Sequence, residues 1–230
     1  MDHALAELPR PSAILFDLDG TLVDTVEARI TAWLDTLEEA GIPTTRSRLG
    51  PLIGLDGRRL AREVAALDGL SIDADRAETI DHASGQLYSR LNRDPRPLPG
   101  VRELVDAIEA RGLPWAIATS SRASQVASSV DALALEHKPT IVDASHVKHA
   151  KPEPDLLLLA ARRLNVEPAH CWYIGDATWD MAAAVAAAMI PIGVTAGSAV
   201  DAAGLAAAGA GAVVATLLDI AAAITALPDR

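Results

Sequence analysis

Asp17 and Asp19 stand one residue apart, directly after the apolar run Ala13–Phe16, with Gly20 and Thr21 following them. A carboxylate pair at that spacing suits a nucleophile or metal ligand beside a proton donor. Thr119-Ser120-Ser121-Arg122 sets hydroxyls and amides at a helix start, an arrangement that holds an anion. Lys151 is followed by Pro152-Glu153-Pro154-Asp155, where the prolines stiffen the backbone just ahead of a helix. Gly175-Asp176 precedes Asp180, and residues four apart on a helix face the same way. Taken singly, these are a solvated turn, a helix cap and a surface lysine. Taken together, the four carboxylates raise one another's pKa values unless a cation joins them. Oxygen donors without Cys or clustered His select Mg²⁺ over Zn²⁺, and Lys151 supplies further compensation.

The elements needed to position these residues are visible as alternating patterns. Short β-branched runs at Ala13–Phe16, Trp115–Ala118, Thr140–Val142, Cys171–Ile174, Ile190–Val194 and Ala212–Val214 read as buried parallel strands. Between them, Val101–Arg111, Ser121–Leu133, Asp155–Leu164, Trp179–Ala188 and Leu217–Ala226 read as helices. Ligands of an open α/β sheet sit at the carboxyl ends of its strands, where the acids arrive. One interval breaks the rhythm. Residues 25–95 show only helical patterning, in Val26–Gly41, Gly57–Leu67 and Ala74–Leu91, and Pro95, Pro97, Pro99 and Gly100 close it. The expected organisation is a core of residues 1–24 and 96–230 with a helical domain of residues 25–95 inserted in it.

Asp17-Leu18-Asp19-Gly20-Thr21-Leu22-Val23-Asp24-Thr25, Thr119, Lys151-Pro152-Glu153-Pro154-Asp155, and Gly175-Asp176 with Asp180 resemble the four motifs of the haloacid dehalogenase superfamily. The chain is similar in particular to the phosphoglycolate phosphatase and β-phosphoglucomutase branch, which carries a helical cap between the first and second motifs. The resemblance implies a Rossmann-like parallel α/β core with an α-helical cap. It also implies a Mg²⁺-dependent phosphatase that hydrolyses a small-molecule phosphate monoester through an aspartyl-phosphate.

By the same resemblance, Asp17 is the nucleophile and Asp19 the general acid and base. Thr119, Ser120 and Lys151 hold the phosphoryl group. Asp17, Asp19 through its backbone carbonyl, Asp176 and Asp180 form the metal site. Arg29 and Arg58 of the cap are expected to face the substrate, Arg29 by binding an anionic leaving group. Departures are few: Ala150 and Ala188 stand where glycine is frequent, and the bulky Trp179 is expected to pack beneath the cap. The sugar-phosphate mutases of the branch are the alternative. Arg29 replaces their cap histidine, and their arginine position falls near Gly57, which favours hydrolysis. A non-enzymatic receiver-like phosphoacceptor fits less well, since receivers have neither a cap nor Asp-x-Asp-Gly-Thr on the first strand.

Half of the 230 residues are hydrophobic and 22% are charged, enough for a packed core without long disordered tails. Only 3% are aromatic, so Ala, Val, Leu and Ile must fill that core. The net charge of −11 opposes a nucleic-acid partner, which needs a basic surface. The single cysteine, Cys171, excludes an internal disulfide and reads as a small buried hydrophobe, and the histidines show no ligand spacing. Residues Met181–Leu227 are weakly charged, but Pro191 and several glycines interrupt them and alanine dominates, unlike a membrane span. No membrane partner and a cytoplasmic location are expected, with a small phosphorylated metabolite as ligand. The sequence assigns no oligomeric state.

Overall fold

The computed structural model describes residues 3–228. Its sheet contains β1 (Ala13–Phe16), β2 (Trp115–Ala118), β3 (Thr140–Val142), β4 (Cys171–Gly175), β5 (Ile190–Val194) and β6 (Ala212–Val214). All pairings are parallel, in the order β3-β2-β1-β4-β5-β6. The direction of winding reverses between β1 and β4, the place where such sheets open a ligand crevice. Asp17 leaves β1 and Asp176 leaves β4 at that reversal, which sets the two carboxylates side by side.

The helices are α1 (His3–Ala6), α2 (Val26–Glu39), α3 (Arg46–Leu49), α4 (Gly57–Leu67), α5 (Ala74–Leu91), α6 (Val101–Ala110), α7 (Ala123–Ala132), α8 (Asp155–Leu164), α9 (Thr178–Ala186), α10 (Ala202–Ala207) and α11 (Leu217–Thr225). Strand side chains alternate between faces. Ile14 and Phe16 therefore pack with Leu104, Ile108 and Ile220 on one face, and Ala13 and Leu15 with Leu157 and Ala161 on the other. The α2–α5 segment carries its own apolar cluster, in which Ile30, Trp33 and Leu37 of α2 meet Leu60 and Val64 of α4 and Ile80 of α5. Among the described residues no helix is long and apolar enough to cross a membrane.

Several helix ends differ from the sequence expectation by one or two residues, and two of these differences have a clear physical cause. Helix α7 starts at Ala123 rather than Ser121, because Arg122 is extended and the Ser121 amide is used by the Thr119 hydroxyl. Helix α9 stops at Ala186 rather than Ala188, because Ala188 is left-handed at φ +56° and the Met189 amide turns back to Ala184. The short α1, α3 and α10 lack the periodicity that would announce them; α10 is held by its cap, with Asp201 accepting from the Gly204 amide at 2.8 Å.

A left-handed alanine is strained by its Cβ, a cost that glycine avoids at the expense of some unfolded-state entropy. Ala188→Gly is therefore expected to stabilise the protein by about 0.5–1 kcal/mol. A higher urea midpoint would bear this out, and an unchanged or lower one would contradict it.

Candidate active site

Gly20 turns the chain back after Asp19 at φ +83°, and a Cβ there would lie 2.4 Å from Asp176 Oδ2. Glycine thus lets the β1 loop close against the β4 loop. Asp17, Asp176 and Asp180 are all buried, and each offers a carboxylate oxygen within 4.8 Å of the others. Lys151, 1% exposed, places Nζ 2.5 Å from Asp17 Oδ1 and 2.7 Å from Asp180 Oδ1. Thr21 donates to Asp176 Oδ1 at 2.8 Å. Asp180 is anchored on both oxygens, accepting from Tyr173 at 3.0 Å and from the Ala177 amide at 3.0 Å.

The Asp17 carboxyl is pushed up to about 7, by burial above all and by the charges of Asp180 and Asp19, against the opposing pull of Lys151. Asp176 is raised as well, by burial first and then by Asp180 and Asp17. One ammonium does not neutralise three crowded carboxylates. A divalent cation between them does, and an all-oxygen donor set fits Mg²⁺. Breaking a buried ion pair from one side costs about 3–5 kcal/mol, because it leaves uncompensated charge. Lys151→Met is expected to lose about that much stability in metal-free protein, with Mg²⁺ restoring part of it. Denaturation with chelator and then with Mg²⁺ checks this; a loss below about 1 kcal/mol would mean that the carboxylates do not depend on the lysine.

The Asp19 side chain is not part of this trio, which leaves its backbone carbonyl as its means of meeting a metal. Its Oδ1 accepts from Thr25 at 2.9 Å and Tyr88 at 2.7 Å, and its Oδ2 from Arg29 at 2.7 Å and Ser121 at 2.5 Å. Burial pushes this carboxyl up, yet the Arg29 charge and the bonds from Ser121, Tyr88 and Thr25 outweigh it and hold the value below the usual carboxylate range. Thr119 is buried with its Oγ1 accepting from the Ser121 amide, and the buried Ser120 hydroxyl has no partner.

Asp17, Asp19, Thr119, Ser120 and Asp176 line one cavity of about 520 Å³. The α2–α5 segment, Arg122 and, after β3, Ser145, Val147 and Lys148 also line it. Arg58 pairs with Asp56 at 2.8 Å, and Arg122 forks to Glu78 at 2.8 Å and Asp81 at 2.6 Å. Arg29, expected to face substrate, gives Nη2 to Asp19 and Ser121. Trp179 packs against the apolar cluster of the helical segment and donates to the Pro51 carbonyl at 2.9 Å.

Residues 14–194 match the family of haloacid dehalogenase-like hydrolases. The chain belongs to that family. This haloacid dehalogenase-like hydrolase is 32% identical to the fructose-1-phosphate phosphatase YqaB of Escherichia coli over 78% of its own length and 94% of the relative's. It is 30% identical to a β-phosphoglucomutase of Bacillus subtilis over 79% of this chain and 82% of that one. A solved hydrolase from Pseudomonas syringae superposes with a TM-score of 0.86 at 35% identity, covering 90% of this chain and 95% of that one.

Sequence reasoning about this hydrolase did not single out Tyr88, Asn92 or Tyr173, and it gave Ser121 and Arg122 no separate role. Thr25 could have been weighed, since it lies in the first motif. Tyr88 carried no such signal, because 69 positions separate it from the carboxylate it touches.

Proposed function

We propose that this hydrolase is a Mg²⁺-dependent phosphatase of small phosphate monoesters, working through an aspartyl-phosphate on Asp17. The reading is carried by one observation: the buried trio Asp17, Asp176 and Asp180, paired with Lys151, opens through Asp17 and Asp176 onto a cavity that the unpartnered Ser120 hydroxyl also lines. An Asp17 oxygen attacks phosphorus and the ester P–O bond breaks. The leaving oxygen takes a proton from Asp19. Water then attacks phosphorus, Asp19 takes the proton of that water, and phosphate departs from a regenerated Asp17. Lys151, Thr119 and Ser120 orient the phosphoryl oxygens. Mg²⁺ held by Asp17, Asp176 and Asp180 would neutralise charge on those oxygens. The lowered pKa of Asp19 keeps it ionised, the form that accepts a proton, and a doubly negative substrate arriving beside it raises that pKa and strengthens it for both proton transfers.

The helical segment, residues 25–95, serves as the lid over this reaction. The arginines of the cavity, Arg29, Arg58 and Arg122, are each paired with carboxylates. With these arginines engaged, we read the leaving group as hydroxyl-bearing, such as a sugar or sugar alcohol; an anionic leaving group, as assigned to Arg29 from sequence, would instead meet the Lys148 ammonium that lines the same cavity. Phosphate release from fructose 1-phosphate, glucose 6-phosphate, sorbitol 6-phosphate and 2-phosphoglycolate tests this. The polyol phosphates are expected to lead; release from none of them overturns the phosphatase reading. Arg29 in place of the mutase histidine supports hydrolysis. Glucose 6-phosphate forming faster than free phosphate from β-glucose 1-phosphate plus a bisphosphate would make the enzyme a mutase.

A further inference from the structure

We infer that Tyr88 is a positioning residue of the lid, fixing Asp19 in the orientation from which it protonates the leaving oxygen; the inference rests on the phosphatase reading. Tyr88 is 1% exposed, and its hydroxyl donates to Asp19 Oδ1 at 2.7 Å. The Tyr88 hydroxyl oxygen accepts from Asn92 Nδ2 at 2.9 Å, and Asn92 also reaches Ser129 Oγ on the core helix α7 at 3.3 Å. With an amide donor on its oxygen, the phenol proton is directed to a single acceptor, the carboxylate.

The ring is fixed as well. The Arg29 guanidinium stacks 3.6 Å from its centroid. One turn earlier, α5 approaches α7 so closely that a Cβ on Gly85 would sit 2.3 Å from Gln125 Nε2. Asn92 and Ser129 are buried in this seam. A tyrosine whose hydroxyl only filled a structural role would be satisfied by Asn92 and a backbone carbonyl. Here its donor is spent on the one carboxylate that must move protons. Because Tyr88 stands on α5 of the lid and Asp19 on the core loop after β1, the bond exists only while the lid is seated. Seating the lid therefore also sets the acid in place.

The test separates proton donation from general damage. An alkyl phosphate needs its leaving oxygen protonated, whereas p-nitrophenyl phosphate leaves as a stabilised phenolate and depends little on an acid. The parameter kcat/KM reports the steps up to that departure. Tyr88→Phe is expected to lose about tenfold in kcat/KM on the fastest alkyl phosphate of the panel and less than about threefold on p-nitrophenyl phosphate. The near-normal aryl rate also shows that the variant folds. Asn92→Leu, which frees the phenol proton without touching Asp19, should show the same skew to a smaller degree and carries the test should Tyr88→Phe fail to fold. Equal losses on both esters, or no loss on either, overturn the role of Tyr88 alone. Wild-type protein hydrolysing no ester of the panel overturns the phosphatase reading itself.

Discussion

Asp17→Asn is expected to lose at least about 10⁴-fold in turnover while the fold survives. The amide matches the carboxylate in volume, so the pocket between Lys151 and the β4 loop is neither emptied nor overpacked. Lys151 keeps its second partner, Asp180, at 2.7 Å, and no unpaired ammonium is left behind. What is lost is the nucleophile, since the amide lone pair is delocalised and does not attack phosphorus. Removing one of three crowded carboxylates also relieves repulsion, so the metal-free variant should unfold at a denaturant concentration no lower than wild type. Phosphate release and urea unfolding on the same preparation measure both halves. Turnover within about tenfold of wild type would remove Asp17 from the chemistry.

Chelation of divalent metal is expected to cut turnover by about 10³-fold, with Mg²⁺ restoring it and Ca²⁺ failing to do so. Asp17, Asp176 and Asp180 lie close enough to hold a cation, and a cation there would offset the crowding and burial that raise the carboxyls of Asp17 and Asp176. Mg²⁺ takes six oxygens near 2.1 Å, whereas Ca²⁺ accepts more at longer distances. An additional ligand could be the second oxygen of Asp17, which would turn the nucleophile away from phosphorus. The site has a readout apart from activity. Mg²⁺ at about one hundred times its dissociation constant should stabilise the fold by about 2.7 kcal/mol. An unfolding midpoint indifferent to Mg²⁺ would deny the trio a metal, and full turnover in excess chelator would deny the metal a role.

The sheet was readable because its strands are short apolar runs, four of them ending at the polar residues Asp17, Thr119, Asp143 and Asp176, and the reversal of winding between β1 and β4 brings Asp17 to Asp176. Lys151 was readable from its prolines, and Asp180 from its helical spacing. The surroundings of Asp19 were not, because no local pattern encodes a contact such as Tyr88 to Asp19 or Arg122 to Glu78 and Asp81. These depend on how the helical segment lies over the crevice, which periodicity does not specify. The starts of α7 and the end of α9 were misplaced for a related reason: at Thr119 and Ala188 the backbone follows the site and a left-handed turn rather than helix propensity.

The seam between α5 and α7 is built from Tyr88, Asn92, Ser129 and Gln125, with the Arg122 ion pairs at its end. Polar and apolar surface contribute to heat capacity with opposite signs when they meet water. A lid that parts here exposes hydroxyls, amides and charges, which lower the heat capacity, together with the Trp179 contact on its apolar cluster, which raises it, so the two offset and the lid opens with little net change. Its opening enthalpy then stays nearly constant with temperature. A turnover rate limited by that opening would trace a straight Eyring plot, where a lid peeling off an oily face would bend it.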